Sequence, residues 1–155
     1  MTDASFTEGH ESPLNIGALD AEDLKVISTL TQDAVFPITE MRWQPRKRRF
    51  ALLLNRFRWE DPGRGRHAPE RVRSLLVFDN VLGVASQGID RADTDLILSL
   101  LSVEWQPGED AAGQILLTLA GDGALRLRAE ALEARLRDVT RPYVAPSKRA
   151  PEHPE

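Results

Sequence analysis

Along most of this chain apolar and polar side chains alternate every second residue, a period that belongs to strands. The exception comes first. Asp20 stands as an N-cap with Asp23 three residues on, and Leu19 and Leu24 occupy the two positions of a hydrophobic staple. Leu24, Ile27 and Leu30 then recur at helical spacing, with Val26 beside them. This helix is expected to stop near Gln32 or Asp33, because Val35, Pro37 and Ile38 change the pattern.

From Ile38 to Arg128 the period is two. Residues 38–44 and 48–59 flank Pro45-Arg46-Lys47, which reads as a hairpin loop. Phe50, Leu52 and Leu54 share a parity that Phe57 and Trp59 break, so a β-bulge near Asn55-Arg56 is predicted. Further strands follow over residues 71–78, 81–87, 96–105, 115–119 and 125–128. They are separated by Asp79-Asn80, the acidic stretch Asp90 to Asp95, Pro107-Gly108-Glu109-Asp110, and the hairpin signal Gly121-Asp122-Gly123. The strand at 96–105 is apolar on both faces, which predicts cover on both sides. Leu132, Leu136 and Val139 fall on one stripe with Ala129, and Glu133 and Arg137 form an i, i+4 pair. They predict a closing amphipathic helix ended by Arg141-Pro142.

The expected architecture is therefore α+β and mainly antiparallel. About seven short strands form a barrel or strongly curled sheet, which resolves the edge problem, with a short helix before them and a C-terminal amphipathic helix after. The order of elements resembles a pleckstrin-homology-like barrel; an open antiparallel sheet with both helices on one face is the alternative. Residues 1–18 read as a flexible tail, 19–140 as a single domain, and 141–155 as a Pro-rich disordered tail.

Composition narrows the class. A chain of 155 residues with 41% hydrophobic and 28% charged side chains has the make-up of one globular domain rather than of a disordered, collagenous or membrane-spanning protein. Cysteine is absent, which removes disulfides, thiolate metal sites and a Cys nucleophile. The N-terminus lacks a basic stretch leading into an apolar one, so a cytoplasmic location is expected.

The net charge of −4 hides a segregation. Residues 1–40 hold eight acids and one base, whereas residues 42–73 hold eleven bases against Glu60, Asp61 and Glu70. A local basic field attracts anions even when the whole chain is acidic. The candidate binding residues are Arg46, Lys47, Arg48 and Arg49 at the hairpin loop, with Arg56 and Arg58 further along the strand. The partner these favour is an acidic protein surface; nucleic acid is disfavoured by the acidic total. The plainer alternative is a solvated strand face neutralised by its neighbours.

Catalytic chemistry finds little support. His10 and His153 lie in the tails and His67 in the Pro/Gly loop 61–69, so no Ser-His-Asp arrangement and no transition-metal set is expected. The run Asp90 to Asp95 lacks the glycine and bidentate glutamate of a calcium loop, and Gly63-Arg64-Gly65-Arg66 is not a phosphate loop. Trp43, Trp59 and Trp105 are assigned to core or rim packing, with a stacking platform for bases or ligands as the alternative. No catalytic residue, metal or cofactor is assigned.

Leu19-Asp20-Ala21-Glu22-Asp23-Leu24, Gln32-Asp33-Ala34 and the stretch Arg48 to Phe57 resemble a bacterial family of small proteins with no assigned function. The likeness continues through Phe78-Asp79-Asn80-Val81, Gln87-Gly88-Ile89-Asp90, Pro107-Gly108-Glu109, Leu125-Arg126-Leu127 and Glu130 to Asp138. It implies no activity, cofactor or site. The functional expectation is a non-enzymatic binding or scaffold module acting through protein contacts. The alternatives are an enzyme with a carboxylate/arginine cleft and a weak binder of nucleic acid or anionic surfaces through residues 42–73.

Overall fold

A computed structural model describes residues 12–61 and 69–144. Strand β1 (Asn15–Ala18) precedes helix α1 (Ala21–Leu30), and β2 (Val35–Pro37), β3 (Met41–Gln44) and β4 (Arg49–Phe57) follow. The chain continues through β5 (Glu70–Phe78), β6 (Val81–Gln87), β7 (Ile97–Pro107), β8 (Gly113–Leu119), β9 (Ala124–Ala129), β10 (Ala134–Asp138) and β11 (Tyr143–Val144). The strands form one antiparallel sheet in the order β1-β10-β5-β4-β2-β7-β8-β9-β6, with β3 beside β4 and β11 beside β5.

Three expectations about the fold are corrected. Among the described residues the strands number eleven rather than about seven, the sheet ends on β1 and β6 instead of closing into a barrel, and the expected C-terminal helix is not formed. The segment expected to form that helix is strand β10. Leu132, Ala134 and Leu136 are buried while Glu133, Arg135 and Arg137 are exposed, an alternation of period two. Leu132 and Leu136, four residues apart, satisfy a helical and a strand period equally, and tertiary pairing decides between them. As a strand the segment hydrogen-bonds along β5 (Ala134↔Phe78, Leu136↔Leu76, Asp138↔Ser74), and β1 pairs on its other side. Glu133 and Arg137 then stand about 13 Å apart along the strand, not one helical turn apart. Asn15–Ala18 and Tyr143–Val144, assigned above to tails, are strands β1 and β11.

The bulge at Asn55-Arg56 is also absent. Pairing of β4 with β5 runs unbroken from Phe50↔Phe78 to Phe57↔Arg71. Phe57 is instead buried on the opposite face, edge-on to Trp59 with ring centroids 4.7 Å apart. Both faces are covered at this end of β4, so the parity need not change. The shift falls in β7, between Leu100 and Ser102. It buries Leu98 and Leu100 before the break and Val103 after it, and leaves Ile97 and Leu101 facing solvent.

Helix α1 supplies the cover that the apolar β7 requires. Its N-cap is Asp20, whose Oδ1 accepts from the Asp23 amide at 2.8 Å. Leu24 and Ile27 are buried, and Ser28 Oγ accepts from the Val103 amide at 2.9 Å. Leu19 is 73% exposed, so the staple is not formed. Strand β2 joins the two halves of the sheet: Val35 lies between Asn55 of β4 and Ser99 of β7. Inner-facing residues of both halves share one core, with Leu52, Leu76 and Leu136 from one side and Ile115, Leu117, Leu125 and Leu127 from the other. No helix among the described residues is long and apolar enough to cross a membrane.

Leu136 has no exposed surface and sits in the row Ile16–Leu136–Leu76–Leu52. Leu136→Asp places an unpaired carboxylate there and is expected to destabilise the domain by several kcal/mol, about 3–5. Urea denaturation of the variant against the parent checks this.

A buried arginine network and a basic outer sheet face

Inward parity on β4 runs Phe50, Leu52, Leu54 and then Arg56. The next row is Leu54–Ser74–Asp138, by the register of β4, β5 and β10. The apolar inner face therefore ends in charge. The Arg56 side chain has no exposed surface, and that of Asp138 has 4%. The guanidinium donates from Nη1 and Nη2 to the two carboxylate oxygens of Glu60, each at 2.8 Å. Its Nη2 also donates to Asp138 Oδ1 at 2.9 Å, and its Nε donates to Ser74 Oγ at 2.9 Å. Ser74 Oγ donates in turn to Asp138 Oδ1 at 2.7 Å, and the Leu14 amide donates to Asp138 Oδ2 at 2.9 Å. Next to it, Arg58 Nη1 donates to Glu70 Oε1 at 2.6 Å and lies 3.8 Å from Asp61 Oδ2.

The electrostatics follow from this geometry. Burial opposes the charge on Arg56, but its hydrogen bonds and ion pairs with Glu60 and Asp138 outweigh it and raise the pKa. Burial pushes Glu60 up, and the hydrogen bonds and charge of Arg56 more than reverse this, holding its carboxyl below the ordinary 4.5. Each Arg56 nitrogen is engaged within the chain. The Ser74 hydroxyl is buried, donates to Asp138 and accepts from the Arg56 guanidinium, so its proton and its oxygen are both used within the cluster. The cluster is a structural plug.

The opposite face of the same strands is different. Two rows cross it: Gly17–Arg135–Val77–Ala51–Arg42 and Asn15–Arg137–Leu75–Leu53. Alternation places Arg73 beyond Leu75 and Arg49 beyond Ala51 on this side. Half-buried Ala51, Leu53, Leu75 and Val77 thus make an apolar floor among five exposed arginines: Arg42, Arg49, Arg73, Arg135 and Arg137. The acids here are fewer. Arg49 Nε meets Asp79 Oδ1 at 2.8 Å, and Glu133 stands beside it. Arg135 Nη1 donates to Asn15 Oδ1 at 2.8 Å, and its guanidinium lies across Gly17, 3.3 Å from where a Cβ would stand. A groove of about 760 Å³ runs over Leu75 and Val77, with Arg49, Arg135 and Arg137 along it and Leu19 at its margin.

The six basic residues singled out from the sequence are divided by the fold. Arg46 and Lys47 sit exposed on the one-turn 3₁₀ helix Pro45–Lys47. Arg48, in the left-handed conformation at φ 52°, pairs with Glu130. Arg49 reaches the groove, while Arg56 and Arg58 are buried in the plug. His67 lies outside the described residues. Sequence reasoning missed Arg135 and Arg137 as face residues; the alternation Glu133, Arg135, Arg137 against Leu132, Ala134, Leu136 was the available signal. Arg42 was counted in the basic segment but not placed on a face.

Fold and site together define an antiparallel β-sheet protein with an open sheet, one α-helix among the described residues and an arginine-rimmed outer face. The model of a family described as a protein of unknown function (DUF2948) matches residues 14–153, and the chain belongs to that family. The resemblance to a family of small proteins without an assigned function is thus borne out. No curated protein and no solved structure matches the chain.

Arg56→Ala strands Asp138 without its countercharge and is expected to cost about 3–5 kcal/mol, measured by denaturant unfolding at neutral pH. The Glu60 carboxylate titrates lower in the folded chain than in the unfolded one. Its contribution is therefore complete above about pH 4.5 and is lost as pH falls through the folded value. Glu60→Gln is expected to flatten that part of the acid limb in a plot of stability against pH.

Proposed function

We propose that this chain is a cytoplasmic, non-enzymatic binding module that applies the outer face of β1, β10, β5, β4 and β3 to an acidic protein surface. One observation carries the reading: five arginines from four strands surround a half-buried apolar floor on one side of the sheet. Interfaces favour arginine, which brings both charge and a long apolar stem, around an apolar centre. Arg135 and Arg137 are the pair to test because both are exposed and neither is part of the plug. Arg135→Glu/Arg137→Glu is expected to melt within a few degrees of the parent, since exposed substitutions shift stability by about 0.5 kcal/mol or less. Partners recovered from the native cell by the parent are expected to be lost by the variant, and the parent's association rate is expected to fall with added salt. Retention of every partner at unchanged affinity overturns the reading.

A further inference from the structure

The sheet does not close, so β6 is an edge, and its sequence leaves that edge open. Val81-Leu82-Gly83-Val84-Ala85-Ser86-Gln87 contains no charge and no proline. Natural edges are usually blunted by charge, proline or shortness. The other edge segments follow that rule: β1 and β11 have four and two residues, and β3 carries Arg42. Among the described residues β6 pairs with β9 alone, apart from the Val81 amide, which donates to the Arg48 carbonyl at 2.9 Å. Residues 83–87 therefore present backbone groups with no strand beside them.

A charge is carried out to this edge. Gly83 faces Arg128 of β9, and the Arg128 guanidinium lies flat across the glycine, its three nearest atoms 3.3–3.5 Å from where a Cβ would stand. Arg126 turns the other way, to Gln106 and Gln114. Arg128 is exposed and has no ion pair among the described residues. A strand added to β6 runs about 4.8 Å beyond it, within reach of that guanidinium.

We propose that β6 docks an extended acidic segment of a partner protein as an added strand, with a carboxylate of that segment on Arg128. This goes beyond the arginine-rimmed face and uses none of its residues. Charge selects the occupant. A second copy of the chain, paired two-fold about Val84, brings the two Arg128 guanidinium groups to roughly 7–8 Å, where like charges repel. An acidic strand answers the same charge, and the free backbone groups supply the ladder.

The probe is a fluorescein-labelled peptide of alternating glutamate and valine, about nine residues long to span β6. Its binding is followed by anisotropy. The parent is expected to bind it saturably, and Arg128→Glu to bind about tenfold or more weakly while prefering the lysine/valine peptide. Methylating alternate backbone nitrogens on one edge of the probe is expected to abolish binding. No saturable binding, equal binding by Arg128→Glu, or equal binding of the methylated probe each overturns the proposal. So does a stable dimer, seen by sedimentation, that the probe cannot enter.

Discussion

The guanidinium of Arg56 is removed from water at the end of the inner sheet face, and its charge must be answered there. Glu60, just past β4, supplies one carboxylate; Asp138, at the end of β10, supplies the other; Ser74 of β5 takes the remaining nitrogen. Three strands are thereby held in one register. A slip of one residue anywhere among them turns Arg56, Ser74 or Asp138 to the other face and leaves buried charge without a partner. The Leu14 amide on Asp138 fixes the entry of the chain to the same point, immediately before β1.

From that register the character of both faces follows. Inward, the rows Phe50–Phe78–Ala134–Ala18 and Leu52–Leu76–Leu136–Ile16 are apolar and join the core shared with the β7–β8–β9 half. Outward, the same pairing collects arginines from segments far apart in sequence, because Arg42, Ala51, Val77 and Arg135 are forced into a single row. The inner plug and the outer basic face are two consequences of one alignment. The first consumes its charges internally; the second leaves most of them exposed.

The open sheet also shapes what the molecule presents. A barrel hides every edge, whereas this sheet ends on a very short β1 and on the longer, uncharged β6. Strand β2, only three residues long, joins the two halves along a narrow seam. Strand β7 pairs with β2 at its start and with β8 thereafter, with the register break between Leu100 and Ser102.

Local chemistry alone determined the helix at Asp20, the Pro45–Lys47 hairpin tip and the Gly121-Asp122 turn. Each depends on a cap, a fixed φ or a positive φ that the residue itself supplies. The alternating strands from Arg49 to Ala129 were legible from their period of two, and the need to cover β7 from its two apolar faces. Tertiary structure decided the rest. Leu132 and Leu136 fit two periods, and only the hydrogen-bonding edge of β5 chose the strand. Arg56 and Arg58 read as surface charge because isolated arginines avoid burial. Their carboxylate partners lie two to eighty-two residues away, and no local pattern announces them. Alternation could mark the arginines of the outer face strand by strand, but the face itself exists only once β3, β4, β5 and β10 are laid side by side.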